Sequence, residues 1–156
     1  MYLIIELSEN TLQEGMDMVQ LIVGNKGKGK TKCLLNKVNT EVKNILGNVV
    51  FLDRNTKHMF ELNNKVRLIV VPEFMIENSD EFVGFVSGVI SQDHDLQQMY
   101  FDGFLNIACL EGKDITATID KLEKLSDKFG VDFILSVSMD KSELPEAIQS
   151  KVLVAL

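Results

Sequence analysis

The stretch Gly24-Asn25-Lys26-Gly27-Lys28-Gly29-Lys30-Thr31 constrains this chain more than any other feature. It fits the pattern G-x-x-x-x-G-K-S/T, in which glycines let the backbone close around phosphate oxygens. The apolar run Met18-Val19-Gln20-Leu21-Ile22-Val23 leads in and reads as a strand. Cys33-Leu34-Leu35-Asn36-Lys37-Val38 leads out and reads as a helix. In that setting successive backbone N–H groups form an inward-facing nest, and the helix N-terminus adds its partial positive charge. Gly24 to Lys32 then form the binding loop. Lys30 would reach the β- and γ-phosphates of a nucleotide, and the Thr31 hydroxyl would take a Mg²⁺ coordination position. A glycine-rich turn with solvated lysines is the plainer alternative.

Charge supports the first reading. The chain has 156 residues, enough for one domain with a real core, and a net charge of −7. That balance argues against a general nucleic-acid surface. Positive charge is concentrated instead at Lys26, Lys28, Lys30 and Lys32. No apolar run is long enough to span a bilayer. Cys33 and Cys109 lie far apart and form no C-x-x-C pair. They are expected as buried free thiols in a reducing, cytoplasmic setting. His58 and His94 are isolated and expected at the surface, with no ligand cluster for a transition metal.

Residues 1–17 form a separate extension before a domain at 18–156. Tyr2-Leu3-Ile4-Ile5-Glu6-Leu7 is too short and lacks the basic flank of a signal peptide. It reads either as an extra strand or as translated leader. Gln13-Glu14-Gly15 can be encoded by a purine-rich, ribosome-binding-like sequence, which would make Met16 or Met18 the natural start.

Downstream, apolar strands alternate with helices. A helix over 30–46 ends at Gly47-Asn48, followed by a strand over 49–53. A third strand covers 67–71 and stops at Pro72. Ser79 caps a helix to about Ser91, with Phe82, Phe85, Val86 and Val89 on one face. A fourth strand spans 98–102. Ile115 to Phe129 is a helix with Ile119, Leu122, Leu125 and Phe129 as its stripe. A fifth strand covers 131–137, Ser142 and Leu144-Pro145 open a last helix, and 151–156 reads as a final strand. Nearly continuous apolar strands alternating with helices predict an α/β, three-layer αβα fold with a mainly parallel sheet of five to six strands.

A Mg²⁺-binding loop of this type needs an acidic partner. Asp102, closing the apolar run Met99-Tyr100-Phe101, is the best placed, because a strand end faces the phosphate site in such sheets. With Gly24 to Thr31, Val50-Phe51-Leu52-Asp53-Arg54-Asn55 and Tyr100-Phe101-Asp102-Gly103, the chain resembles small single-domain RecA-like P-loop ATPases from about Met18 to Asp140. The resemblance implies the strand order 3-2-4-5-1, ATP and Mg²⁺ as ligands, and Thr31 and Asp102 as the Mg²⁺-side residues. Rings or filaments of like subunits, or a protein partner, follow only by analogy.

The departures are specific. Members of this group carry a glutamate just past the second strand to activate water, and Asn55 stands at the matching position. Gly103 follows Asp102, where other ATPases place a base. Asp53 is a weaker catalytic candidate, Glu73 a remote one, and Ser138 or Ser136 a hydroxyl for the γ-phosphate or water. Arg54 would reach a neighbouring subunit as an arginine finger, or simply be solvated or ion-paired. The expectation is a slow or partner-activated ATPase, with a nucleotide-sensing module without turnover as the alternative. A GTPase is disfavoured, because Ser138-Met139-Asp140-Lys141 replaces an N/T-K-x-D motif. The deviant ParA-like loop fails by one residue, Asn25 standing where its lysine belongs. A small-molecule kinase is disfavoured by having only two arginines, Arg54 and Arg67, and no lid-like insertion.

Overall fold

The computed structural model describes residues 18–156. The readings made for 1–17 lie outside the described residues. Six strands form one sheet: β1 (Val19–Val23), β2 (Asn48–Asp53), β3 (Val66–Val70), β4 (Leu96–Phe101), β5 (Asp132–Val137) and β6 (Val152–Ala155). Every pairing is parallel, in the order β3-β2-β4-β5-β1-β6. The expected 3-2-4-5-1 order is present, with β6 added beside β1.

Side chains alternate between the two faces of each strand and build two separate cores. Ile22, Phe51, Tyr100 and Ile134 pack under α1 (Lys30–Glu41) through Leu34, Leu35 and Val38. Leu21, Val23, Phe101 and Phe133 face the other way, against α2 (Ser79–Ser91), the short α3 (Phe104–Ile107), α4 (Thr116–Phe129) and the short α5 (Glu146–Gln149). That face is aromatic at its centre: Phe101 lies 5.2 Å from Phe133 and 5.8 Å from Phe82, ring centre to ring centre. Truncating one such buried ring costs about 3–5 kcal/mol. Two faces covered by helices make the three-layer α/β arrangement.

Several local expectations are corrected. The first helix ends at Glu41, and Val42–Asn44 is a tighter turn before extended Ile45. Glu41 sets this limit: its carboxylate accepts hydrogen bonds from Lys37 and from Gln98 of β4, fastening the helix end to the sheet. Asn78, not Ser79, caps α2; its side chain accepts from the Glu81 N–H at 2.9 Å. Phe129 is 51% exposed, while Ser126 is buried in its place, donating to the Val131 carbonyl where the chain leaves α4. β3 ends at Val70, and Pro72 sits two residues further on, in a turn over Val71–Phe74. The last helix is reduced to a turn at Lys141–Glu143 and α5. Cys33 and Cys109 are free but only half-buried: Cys33 flanks the α1 core, and Cys109 lies just past α3. Among the described residues, no helix is long and apolar enough to cross a membrane.

Candidate functional site

All six strands run the same way, so the loops after β1, β2, β4 and β5 open at one end of the sheet. There they surround a cavity of about 800 Å³. Its floor is formed by Lys26, Gly27, Gly29, Lys30 and Thr31 of the loop entering α1. Gly29 precedes the helix at φ 95°, a left-handed geometry that a side chain would strain, and α1 has no side-chain cap. The N–H groups of its first turn therefore have no intrahelical partner. The loop is folded on itself: the Asn25 carbonyl accepts from Lys28 N at 3.3 Å and from Lys30 Nζ at 3.1 Å.

Lys30 is only 8% exposed. Burial holds its pKa below the ordinary lysine value; Asp102 opposes the shift, and the charges of Arg54 and Lys26 add to it. Opposite stands Asp102, 1% exposed and one residue beyond β4. Thr31 Oγ1 donates to its Oδ1 at 3.2 Å, and Ser136 Oγ of β5 donates to the same oxygen at 2.9 Å. Ser136 Oγ also accepts from the Gly103 N–H at 2.8 Å. Oδ2 of Asp102 is buried with no partner. An orphaned carboxylate oxygen beside a hydroxyl suits a hard cation: Mg²⁺ takes one or two protein oxygens and completes its shell with water and phosphate.

Asp53, 2% exposed at the end of β2, also lines the cavity and accepts from the Arg54 N–H at 2.7 Å. Burial above all, with the nearby Asp102 charge, raises its pKa despite the hydrogen bond from Arg54. Asn55 lines the cavity, its side chain accepting from Lys57 N at 2.9 Å.

The structure gathers Lys26, Gly27, Gly29, Lys30, Thr31, Asp53, Asp102, Ser136 and Ser138 around this cavity. Gly24 is buried behind it, bonded to the Met139 carbonyl at 2.9 Å. Lys28 and Lys32 are exposed outside it, so two of the four crowded lysines face this space. Lys32 lines a neighbouring cavity along α1. Glu73 is exposed and not among the lining residues. Arg54 is at the rim with no ion-pair partner among the described residues.

His58 corrects the surface expectation: it is half-buried on the cavity wall, with Nδ1 2.5 Å from Glu61 Oε2. His94 is exposed, as expected. His58, Lys57 and Asn106 of α3 line the cavity without any motif to announce them. They arrive there because the segments after β2 and β4 fold over the strand ends. No protein-family model matches the chain, and no curated protein matches it.

Proposed function

We propose that this chain is a Mg²⁺-dependent, ATP-binding P-loop protein of the RecA-like kind, with slow or partner-activated hydrolysis. The observation that carries the reading is the unpartnered Asp102 Oδ2, next to a Thr31 hydroxyl that opens an uncapped helix. Lys30 would exchange its bond to the Asn25 carbonyl for the β- and γ-phosphate oxygens. The free N–H groups of the first turn of α1 would hold the inner phosphates. Thr31 and Asp102 would hold Mg²⁺, which supplies neutralisation of phosphate charge when bound. ATP rather than GTP follows from the RecA-like resemblance and the absence of an N/T-K-x-D sequence. A cytoplasmic location, and a like subunit or protein partner, belong to the same reading.

Turnover is the weaker half. The carboxylates on the cavity wall are Asp102, engaged with Thr31 and Ser136, and Asp53. Asp53 is thus the carboxylate left to accept a proton from attacking water, and its raised pKa suits it to that role. Asn55 and Gly103 favour the second reading, a module that binds nucleotide and signals without significant turnover.

Calorimetry with ATP, ADP and GTP, each with and without Mg²⁺, tests binding. Micromolar affinity for ATP that depends on Mg²⁺ is expected, and no binding to any of the three would refute the reading. Multiple turnovers abolished by Lys30→Ala distinguish an ATPase from a sensor.

A further inference from the structure

Arg54 has a seat built for it. A Cβ placed on Gly103 would lie 2.8 Å from Arg54 Nε, 2.9 Å from Cδ and 3.0 Å from Cζ, so the guanidinium end rests directly on the glycine backbone. Gly103 has φ 66° and its N–H is fixed to Ser136 Oγ, which also holds Asp102. The seat of the arginine and the position of the Asp102 carboxylate are therefore parts of one hydrogen-bonded unit. A Cβ after Asp102 would meet the end of the Arg54 side chain, which would have to shift, and the φ of 66° itself favours glycine there.

From this seat Arg54 borders both the main cavity and an adjoining one of about 240 Å³ that shares Lys26, Asn106 and Ser138. It follows β2, while the glycine loop follows β1, with β4 and β5 between them. If a phosphate chain has its inner groups on the first turn of α1 and runs across the ends of β5 and β4, its outer end meets Arg54. Arg54, Lys26 and Lys30 line this space together with Asp53 and Asp102, and Glu111 lines the adjoining cavity, yet among the described residues none of these carboxylates forms an ion pair with the guanidinium. Asp53 and Asp102 offset Lys26 and Lys30, and the guanidinium, without an ion pair among the described residues, is the cation left to meet an entering anion.

Resting on the nucleotide reading above, we infer that Arg54 is the chain's own ligand for the terminal phosphate, the residue by which the site tells a triphosphate from a diphosphate. It acts within its own subunit and not as a finger reaching into a neighbour.

The test is calorimetry in Mg²⁺ with ADP and with a triphosphate carrying an imido β–γ link. Wild type is expected to bind the triphosphate more tightly. Arg54→Ala should weaken the triphosphate by about tenfold or more, leave ADP within about twofold, and so remove the preference; Arg54→Lys should restore part of it. The side chain is exposed, so these variants should keep the wild-type melting curve. An equimolar mixture of Lys30→Ala and Arg54→Ala chains should show no recovered triphosphate preference. Recovery on mixing would place the arginine in trans and overturn the inference, as would equal losses for both nucleotides or no loss. Wild type that binds neither nucleotide would defeat the nucleotide reading and this inference together; normal binding indifferent to Arg54 defeats the inference alone.

Discussion

Thr31 and Asp102 meet across 3.2 Å, hydroxyl to carboxylate, while the second carboxylate oxygen faces no partner. The pair joins α1 to the end of β4, two elements that the sequence separates widely. If these oxygens hold Mg²⁺, Thr31→Val and Asp102→Asn should each remove most of the Mg²⁺-dependent gain in ATP affinity. About tenfold is expected, or ~1.4 kcal/mol. Binding measured in excess chelator should change little. Loss of equal size with and without Mg²⁺ would contradict the assignment.

Lys30 gives a pH dependence of known sign. Burial lowers its pKa, so the empty site releases the proton at lower pH than an exposed lysine at 10.5. ATP affinity should therefore fall as pH rises through that lowered value, before the 10.5 of an exposed lysine is reached. Stability moves the other way. The folded chain binds this proton less well than the unfolded chain, so the cost of burying the charge fades as pH rises. Lys30→Met should abolish nucleotide binding and raise the melting point, by about 2–4 °C for each kcal/mol recovered. Melting curves of the variant at or below wild type would show that the Asn25 carbonyl already compensates the charge.

The two serines of the 136–138 segment should separate cleanly. Ser136 is buried and serves both the Gly103 N–H and Asp102, so Ser136→Ala should cost about 1–3 kcal/mol of stability and weaken Mg²⁺ dependence. Ser138 is half-buried at the cavity wall, so Ser138→Ala should stay within about 0.5 kcal/mol in chemical denaturation. Equal destabilisation would refute this division.

Glu41 provides a test away from the cavity. Burial opposes its charge, but hydrogen bonds from Lys37, Gln98 and Tyr100 prevail and hold its pKa below 4.5. The stabilisation is present above the unfolded value and is lost as pH falls through the depressed folded value. Glu41→Gln should destabilise by about 1 kcal/mol at pH 7, with the difference shrinking in acid, and leave ATP affinity intact. A constant difference in melts from pH 3 to 8 would disprove the electrostatic account.

The sheet is legible in the sequence because strands buried on both faces are apolar almost throughout, and an acid closing one of them marks a strand end. That logic finds Lys30, Thr31 and Asp102, each tied to a local pattern. It does not find Arg54 on Gly103, because the contact depends on β2 lying beside β4, and a glycine alone cannot say which side chain crosses it. His58 escapes for a similar reason: nothing local distinguishes it from a surface histidine until the segment after β2 folds over the cavity. Ser126 and Phe129 exchange places because periodicity ignores chain exit. The left-handed Gly130 that ends α4 requires hydrogen bonds to the Ser126 carbonyl, and these draw the serine inward.

The α1 helix is fastened at both ends, at Lys30 to the Asn25 carbonyl and at Glu41 to Gln98. Between them Asn39 bonds the Glu61 carbonyl at 2.7 Å and the Asn63 N–H at 2.8 Å. Such a helix is a strut rather than a lever. It cannot slide along its axis without breaking contacts at opposite margins of the sheet. Gln98, in β4 at the far end of the helix from the cavity, and Asn25, in the glycine loop, are thus supports of a single mechanical part, and loosening either slackens the floor on which the other rests.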